Sequence, residues 1–197
     1  MPEIQSGSVL EQSGLRERQR SWPTLQAEEV CGLGYCKLRH FDPQVACTDG
    51  GWGQVVGEIS AVAQGVLCLC LRPGEWLLQC AAAAVPSATA ALVLPADGLM
   101  LDCSDALTTL RISGLASPWL LSKLAALDFH QMSRSGVPHC AQSRAGQIRV
   151  IILHHAGAHG AKYTFDLLVE REYARYLWEL ICNAAPHAVE LAGTYGS

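Results

Sequence analysis

A hairpin of two apolar strands is the sequence feature that most restricts what this chain can fold into. Residues 62–71 (VAQGVLCLCL) are apolar on both faces of a period-two pattern, which is typical of a strand buried on both sides. Residues 72–75 (RPGE) place proline second and glycine third, as a type II turn requires. Residues 76–80 supply the returning strand. The sequence therefore predicts an antiparallel hairpin at the centre of the fold.

The rest of the pattern mixes short strands with helices. Ser117 and Pro118 favour a helix start, with Ser117 as N-cap, and this helix is expected to run to about Leu127. Strict strand–helix alternation is missing, which favours an α+β fold with mainly antiparallel sheets and packed helices. The other predicted elements are a helix from about Pro86, strands at 99–103, 107–112, 147–154 and 162–169, and a helix at 171–184.

The helix predicted at 171–184 has the clearest amphipathic pattern in the chain. Arg175 and Glu179 form an i,i+4 pair on its polar side. Its apolar face is predicted to hold Tyr173, Tyr176, Leu177, Leu180, Ile181 and Ala184, which recur at helical spacing.

Two regions of different character are predicted along the chain. Residues 1–57 read as an N-terminal arm followed by an irregular, glycine-containing segment, because the first 30 residues are polar and lack a sustained apolar period. Residues 58–197 read as the α+β domain. The full length of 197 residues is enough for one domain with a sizeable core.

The charged residues are few for a chain that faces water on all sides. Half of the residues are hydrophobic and 16% are charged, against a usual charged fraction of about 25%. This composition favours an obligate protein partner that covers part of the surface; the alternative is a large core in a monomer.

Composition also excludes several classes of function. The net charge is −4 and the basic residues are scattered, so no nucleic-acid groove is expected. No apolar run reaches the ~18 residues that a membrane span needs. The polar N-terminus lacks the apolar core of a secretory signal, and a cytoplasmic protein is expected.

The nine cysteines allow a metal hypothesis and a simpler one. Cys31, Cys36 and Cys47, with His40 between them, could ligate zinc, although their spacing departs from the plant-type iron–sulfur pattern. The alternative, which the sequence favours, is a set of small buried thiols. Cys68 and Cys70 share one face of the apolar strand and are expected to be buried and inert.

The histidines and glycines offer no stronger candidate. His154, His155 and His159 are interpreted as part of a solvent-exposed loop rather than as metal ligands. His139 and Cys140 would point to opposite faces of a strand, so they cannot form a catalytic dyad. The glycines at 50–53 lack the strand–loop–helix context of a dinucleotide site. No catalytic, cofactor-binding or metal-binding residue is therefore predicted.

Five segments, in order along the chain, resemble the sarcosine oxidase gamma family. The last of them matches the family run Phe-x-Leu-Leu-Val-x-Arg-x-(Phe/Tyr)-Ala-x-Tyr-Leu-Trp. The resemblance covers about residues 58 to 185. The segments are 69–78 (LCLRPGEWLL), 101–114 (LDCSDALTTLRISG), 127–130 (LDFH), 140–142 (CAQ) and 163–178 (YTFDLLVEREYARYLW).

This resemblance implies a non-catalytic gamma subunit of a heterotetrameric sarcosine oxidase or a related N-methyl amino acid oxidase. The family fold is similar to the folate-binding domain of glycine-cleavage aminomethyltransferases. The implied partners are the large alpha subunit in direct contact, the beta flavin subunit and the small delta subunit. The implied complex carries FAD, FMN and NAD and uses tetrahydrofolate, with no cofactor in this chain. The alternative is a free-standing tetrahydrofolate-binding, aminomethyltransferase-like protein.

The resemblance also argues against aminomethyl transfer by this chain. The aminomethyltransferase relatives use an aspartate in a Gly-x-x-Asp-Asp strand, and Arg149 and Val150 stand at the matching positions. Neither side chain can replace a carboxylate that stabilises a developing cation. Asp102 and Asp105 remain as acids without a predicted pocket. Candidate anchors for a partner are Trp119, Tyr176 and Trp178; the alternative for each is ordinary core.

Overall fold

The computed structural model describes residues 7–15, 17–42, 52–91, 97–156 and 163–195. The chain divides into two compact units. The first unit comprises Met1–Cys31, Thr108–Pro138 and Gln142–Ser197, and the second unit comprises Gly32–Leu107 and His139–Ala141. This division differs from the predicted one at residues 57 and 58, because the second unit is inserted within the chain of the first.

The strands form two sheets of mainly antiparallel pairs, which include β1–β2, β2–β8 and β10–β11 in one sheet and all neighbours in the other. One sheet has six strands in the order β1-β2-β8-β11-β10-β9, and the other has five in the order β4-β5-β6-β3-β7. The predicted α+β class is thereby confirmed. The strands are β1 Gln19–Trp22, β2 Leu25–Val30, β3 Leu33–Arg39, β4 Ile59–Ala63, β5 Val66–Arg72, β6 Glu75–Ala81, β7 Leu99–Asp102, β8 Leu107–Ser113, β9 His139–Ala145, β10 Ile148–His154 and β11 Thr164–Glu170.

Five α-helices complete the described part of the chain. They are α1 Val9–Gln12, α2 Val85–Ala91, α3 Ser117–Leu124, α4 Phe129–Arg134 and α5 Ala174–Tyr195, and short 3₁₀ turns precede α2 and α5. None of the helices in the described ranges is both long and apolar enough to cross a bilayer.

The N-terminal prediction is wrong where β1, β2 and β3 lie. Three of the four β1 side chains are exposed, so this strand shows no apolar period in the sequence. It is held instead by its antiparallel pairing with β2. β3 is the inner neighbour of β6, and its Gly34–Cys36 segment is buried, where a glycine-rich, irregular segment was expected.

The core of the first unit lies between α3, α5 and one face of the six-stranded sheet. Leu110 and Ile112 of β8 and Phe165 and Leu167 of β11 alternate toward this core. The helix α5 buries Leu177, Trp178 and Ile181 near its start and small alanines further on, so its apolar stripe follows the helical period.

Helix α5 is longer than predicted, and its buried face differs in part from the predicted one. It continues through Pro186 to Tyr195, beyond the predicted end at 184. Tyr173 and Tyr176 are about 40% exposed, whereas Trp178 is buried. The predicted Arg175–Glu179 ion pair is confirmed, with 2.9 Å between Arg175 Nε and Glu179 Oε1.

The start of α3 also differs from its prediction. Ala116 precedes the first helical residue, and Ser117 is part of the helix rather than its cap. The Ser117 hydroxyl is buried and has no hydrogen-bond partner among the described residues. The helix ends at Leu124, before the predicted Leu127, because Ala125 adopts an extended conformation. Asp128 then caps α4 by accepting a hydrogen bond from the Gln131 backbone N–H.

The second unit contains the predicted hairpin, formed by β5 and β6. Gly74 has φ +74°, as the third residue of a type II turn requires. The predicted strand 62–71 is wrong in one respect: a turn at Gln64 and Gly65 divides it into β4 and β5. The core of this unit packs around Trp76, whose Nε1 donates to the Gly53 carbonyl at 2.9 Å.

Candidate functional sites

A buried carboxylate held by an arginine and a histidine lies on the second face of the six-stranded sheet. Asp166 of β11 has 0% exposure. Arg111 of β8 donates to both of its oxygens, from Nε at 2.7 Å and from an Nη at 2.9 Å. The His155 Nε2 lies 2.8 Å from Asp166 Oδ2. The three residues come from neighbouring strands β8 and β11 and from the end of β10.

This arrangement keeps Asp166 ionised. Burial by itself raises the pKa of Asp166, but the hydrogen bonds from Arg111 and His155 outweigh it and lower the pKa below its ordinary value. Both partners are themselves largely buried, at 16% and 15% side-chain exposure. Both oxygens of the carboxylate are therefore engaged, in a bidentate pair with Arg111 and in a contact with His155.

The prediction that His154 and His155 lie in a solvent-exposed loop is wrong. His154 is buried at the end of β10, where its ring contacts Phe165 at 5.1 Å. His155 holds Asp166, so neither residue lies in a solvent-exposed loop. His159 lies outside the described residues. The sequence did hold a signal for Asp166, because an aspartate in a strand flanked by apolar residues needs a buried partner.

A second buried carboxylate lies in the second unit and has three cations around it. Glu75 is 4% exposed. Lys37 Nζ lies 3.0 Å from its Oε1, Arg39 Nε lies 3.6 Å from its Oε2, and Arg72 Nε donates to Oε2 at 2.9 Å. Burial raises the pKa of Glu75, but hydrogen bonds from Arg72 and Lys37 reverse that effect and lower it.

The side chains around Glu75 also line a pocket of about 230 Å³. Arg39, His40, Arg72 and Glu75 give it a polar wall, and Phe41 and Leu99 give it an apolar one. This site was not predicted from the sequence. The i,i+3 pair of Arg72 and Glu75 across the turn was the available signal, whereas Lys37 and Arg39 are distant in sequence.

Most of the described thiols of the second unit are buried, as predicted for Cys68 and Cys70, whereas Cys103 is partly exposed. Burial is the main cause that raises the pKa of Cys68 and of Cys140 to about 12, and that of Cys36 to about 11. Such thiols carry almost no thiolate at neutral pH and are poor nucleophiles. His139 is exposed whereas Cys140 is buried, as expected for neighbouring residues that point to opposite faces of β9.

The metal hypothesis receives no support from the part of the chain that is described. Within it, no group of three or more His, Cys, Asp or Glu residues could hold a metal ion. Cys31 is exposed and Cys36 is buried. Cys47, Gly50 and Gly51 lie outside the described residues, so a site that includes Cys47 stays a hypothesis beside the favoured interpretation as thiols.

The remaining candidates from the sequence lie apart. Arg149 is exposed and Val150 is buried on β10. Asp102 accepts hydrogen bonds from the Ser104 backbone N–H at 2.9 Å and from its hydroxyl at 2.7 Å, and Asp105 is exposed. Trp119 is half-buried, with its ring 4.6 Å from that of His130. Trp178 as a partner anchor is wrong, because it is core.

Comparison with solved structures defines the class of fold. The chain is similar to a chain of the heterotetrameric sarcosine oxidase from Corynebacterium sp. U-96 in complex with pyrrole 2-carboxylate, with a TM-score of 0.71 and 20% identity over 92% of this chain and 95% of that one. It is also similar to the glycine cleavage system aminomethyltransferase T from Bartonella henselae, with a TM-score of 0.56 and 12% identity over 88% of this chain.

The fold is therefore that of folate-binding aminomethyltransferase-like domains, as the sequence predicted. The chain spans 48% of the aminomethyltransferase, about half its length. A scan against protein-family models finds no match, and a search of curated proteins finds none. At these identities the two solved structures establish the fold alone.

Proposed function

We propose that the chain is a non-catalytic, gamma-type subunit of a multi-subunit sarcosine oxidase or related N-methyl amino acid oxidase. The observation that carries this proposal is a difference in coverage. The chain matches 95% of a sarcosine oxidase chain but only 48% of the aminomethyltransferase. A chain that corresponds to one whole subunit of an oxidase, and to half of a transferase, is best explained as a subunit.

The chemistry of the described groups supports a structural role. Asp166 is ionised but held by Arg111 and His155. The buried thiols have raised pKa values, led by Cys68 and Cys140 at about 12. These groups are used within the fold, so they are poor candidates for acid, base or nucleophile in catalysis.

The exposed apolar side chains support a role in a complex. Several large hydrophobic residues stand more than half exposed on a chain with only 16% charged residues. In the proposed complex, residues of this set pack against the large alpha subunit, which lies beside the beta flavin subunit and the small delta subunit. The members of this set are Phe41, Val55, Leu99, Leu101, Val137 and Tyr195.

The cofactors of the proposed complex belong to its other chains. FAD, FMN and NAD would carry electrons from the N-methyl amino acid, and tetrahydrofolate would accept the one-carbon unit. We assign none of them to residues of this chain, whose proposed contribution is to stabilise the flavin-bearing subunits.

Affinity purification from the native source tests the proposal. The tagged chain should retain two larger chains that show the visible spectrum of oxidised flavin, and the purified complex should oxidise sarcosine or another N-methyl amino acid. The tag alone is the control. Recovery of the chain as a monomer without flavin-bearing chains would contradict the proposal.

A second candidate is a free-standing tetrahydrofolate-binding protein, favoured by the fold shared with aminomethyltransferase T. It predicts saturable binding of tetrahydrofolate by the isolated chain in calorimetry. Heat of binding from the isolated chain would favour this candidate, whereas binding only by the captured complex would favour the subunit. Arg149 and Val150, at the positions where the resemblance places the acids, argue against catalysis in either case.

A further inference from the structure

We infer that the edge of the five-stranded sheet around Arg39 and Leu99 is a docking surface for a segment of a protein partner. This segment is acidic and carries apolar side chains between its acidic residues. We call this surface the β3–β7 edge and define it by Lys37, Arg39, Arg72, Leu99 and Leu101. The inference deepens the proposed function, since the partner is taken to be another chain of the oxidase. All five residues belong to the second unit.

Strand register places charge and apolar surface side by side. Arg39 of β3 stands opposite Glu75 of β6 on one side and opposite Leu99 of β7 on the other, and Lys37 stands opposite Leu101. Directly opposed side chains lie on the same face of a sheet. The β3–β7 edge therefore presents a row of two cations beside a row of two leucines.

The charges of this surface do not cancel. Three cations surround the single carboxylate of Glu75, so the cluster carries a net charge of about +2 at neutral pH. The Arg39 and Arg72 side chains are 61% and 57% exposed, so the excess charge faces outward. A surface of this kind attracts carboxylates and selects against basic partners.

The apolar side chains exclude a purely ionic partner. Leu99 and Leu101 are 62% and 66% exposed, on the strand that ends the sheet. Edge strands usually carry charged side chains or proline that prevent pairing with other chains, and β7 (LMLD) has one charge in four residues. Burial of two leucines favours a partner with apolar side chains between its acids.

The volume of the pocket limits the size of the partner group that can enter it. Its volume of about 230 Å³ is smaller than the ~300–1,000 Å³ of ordinary small-molecule sites. It accommodates one carboxylate side chain next to Arg39 and Arg72, with the rest of the partner lying along β7. An acidic segment of a protein fits this shape better than a free metabolite does.

The test compares three variants in the affinity purification described above. Arg39→Glu reverses one outward charge while Lys37 and Arg72 still hold Glu75, and Leu99→Ser removes one apolar contact without changing charge. Lys123→Glu is the matched control, because Lys123 is an exposed lysine of α3 in the first unit. Thermal melting confirms that each variant is folded.

Each of Arg39→Glu and Leu99→Ser should weaken retention of the flavin-bearing chains at least tenfold, and Lys123→Glu should leave it within about twofold. Added salt should reduce retention of the unmodified chain more than retention of Arg39→Glu. Unchanged retention by both edge variants would overturn the docking surface and leave the proposed function intact.

If the unmodified chain retains no flavoprotein, the proposed function is contradicted, and a peptide probe then tests the docking surface by itself. The probe is the capped hexapeptide Glu-Leu-Glu-Glu-Leu-Glu, with Gln-Leu-Gln-Gln-Leu-Gln as its control, in calorimetry with the isolated chain. Preference for the glutamate peptide of tenfold or more, lost in Arg39→Glu, supports the surface for another partner. Equal binding, no binding, or full displacement by acetate, the mark of a small-anion site, overturns it.

Discussion

The two units each bury one carboxylate, but they neutralise it in different surroundings. Asp166 of the first unit is held by Arg111 and His155, which are themselves about 85% buried. Glu75 of the second unit is held by Lys37, Arg39 and Arg72, whose side chains are 39–61% exposed. The buried carboxylate of the first unit thus belongs to a closed network of buried partners. That of the second unit belongs to an open network, in which exposed cations outnumber the carboxylate.

This difference in exposure indicates that the network of the first unit matters for stability and that of the second for recognition of a partner. A buried ion pair stabilises little in net terms, but removal of one partner leaves a charge that cannot return to water. Exposed cations contribute little to folding and remain available to a partner. Substitutions in the Asp166 network are therefore expected to unfold the protein, and substitutions around Glu75 are expected to weaken binding of a partner.

The largest effect is expected from Arg111→Met. This change leaves Asp166 buried with one partner, and the free energy of unfolding should fall by roughly 3–5 kcal/mol. Urea denaturation followed by tryptophan fluorescence measures it. The double change Arg111→Met with Asp166→Leu is the control and should recover most of the loss. A cost below ~1 kcal/mol for the single variant would break the comparison.

Acid should destabilise the protein next most strongly. The pKa values of Asp166 and Glu75 are lowered in the folded state, so the unfolded chain binds more protons as the pH falls. Their stabilisation is complete above the unfolded pKa values near ~4 and is lost as the pH falls through the folded values. The urea midpoint should decline below about pH 4, and less in the Arg111→Met, Asp166→Leu double variant.

Arg72→Met should cost less than Arg111→Met. Lys37 and Arg39 still neutralise Glu75, and the lost guanidinium is more than half exposed, so we expect a loss of about 1 kcal/mol. The same urea titration measures it, with Lys123→Met as an exposed-lysine control. An effect as large as that of Arg111→Met would show that the second network is closed as well.

The smallest effect is expected from salt. Raising NaCl to ~0.5 M should reduce the cost of Arg72→Met by a few tenths of a kcal/mol, because exposed charges are screened. The cost of Arg111→Met should stay the same within error. Equal salt dependence of the two variants would remove the distinction between a closed and an open network.

The sequence predicted elements whose signals are local. The hairpin of β5 and β6 follows from Pro73 and Gly74 in the turn, and β11 and α5 follow from their periodicity. β1 and β3 were missed because their strand character comes from neighbours distant in the chain. Trp178 was left open between a partner anchor and ordinary core, because its exposure depends on how the helix packs, which periodicity alone does not fix.

The two carboxylate sites could be predicted only in part. An aspartate among Phe165, Leu167 and Leu168 indicates that a partner must exist, but Arg111 is 55 positions away and nothing local identifies it. Glu75 has one partner across a turn, Arg72, which the sequence does show. Lys37 and Arg39 reach it only because β3 pairs with β6, a long-range pairing.

The insertion of the second unit into the first has a consequence for synthesis on the ribosome. β2 pairs with β8 through Val30 and Thr109, so its partner emerges about 80 residues later, which at translation rates of about 5–20 residues per second is roughly 4–16 s. The helix α5, which completes the first core, follows β8 in the chain. β2 must therefore wait for β8 while the second unit is synthesised, and chaperones that shield nascent chains are expected to matter most in that interval.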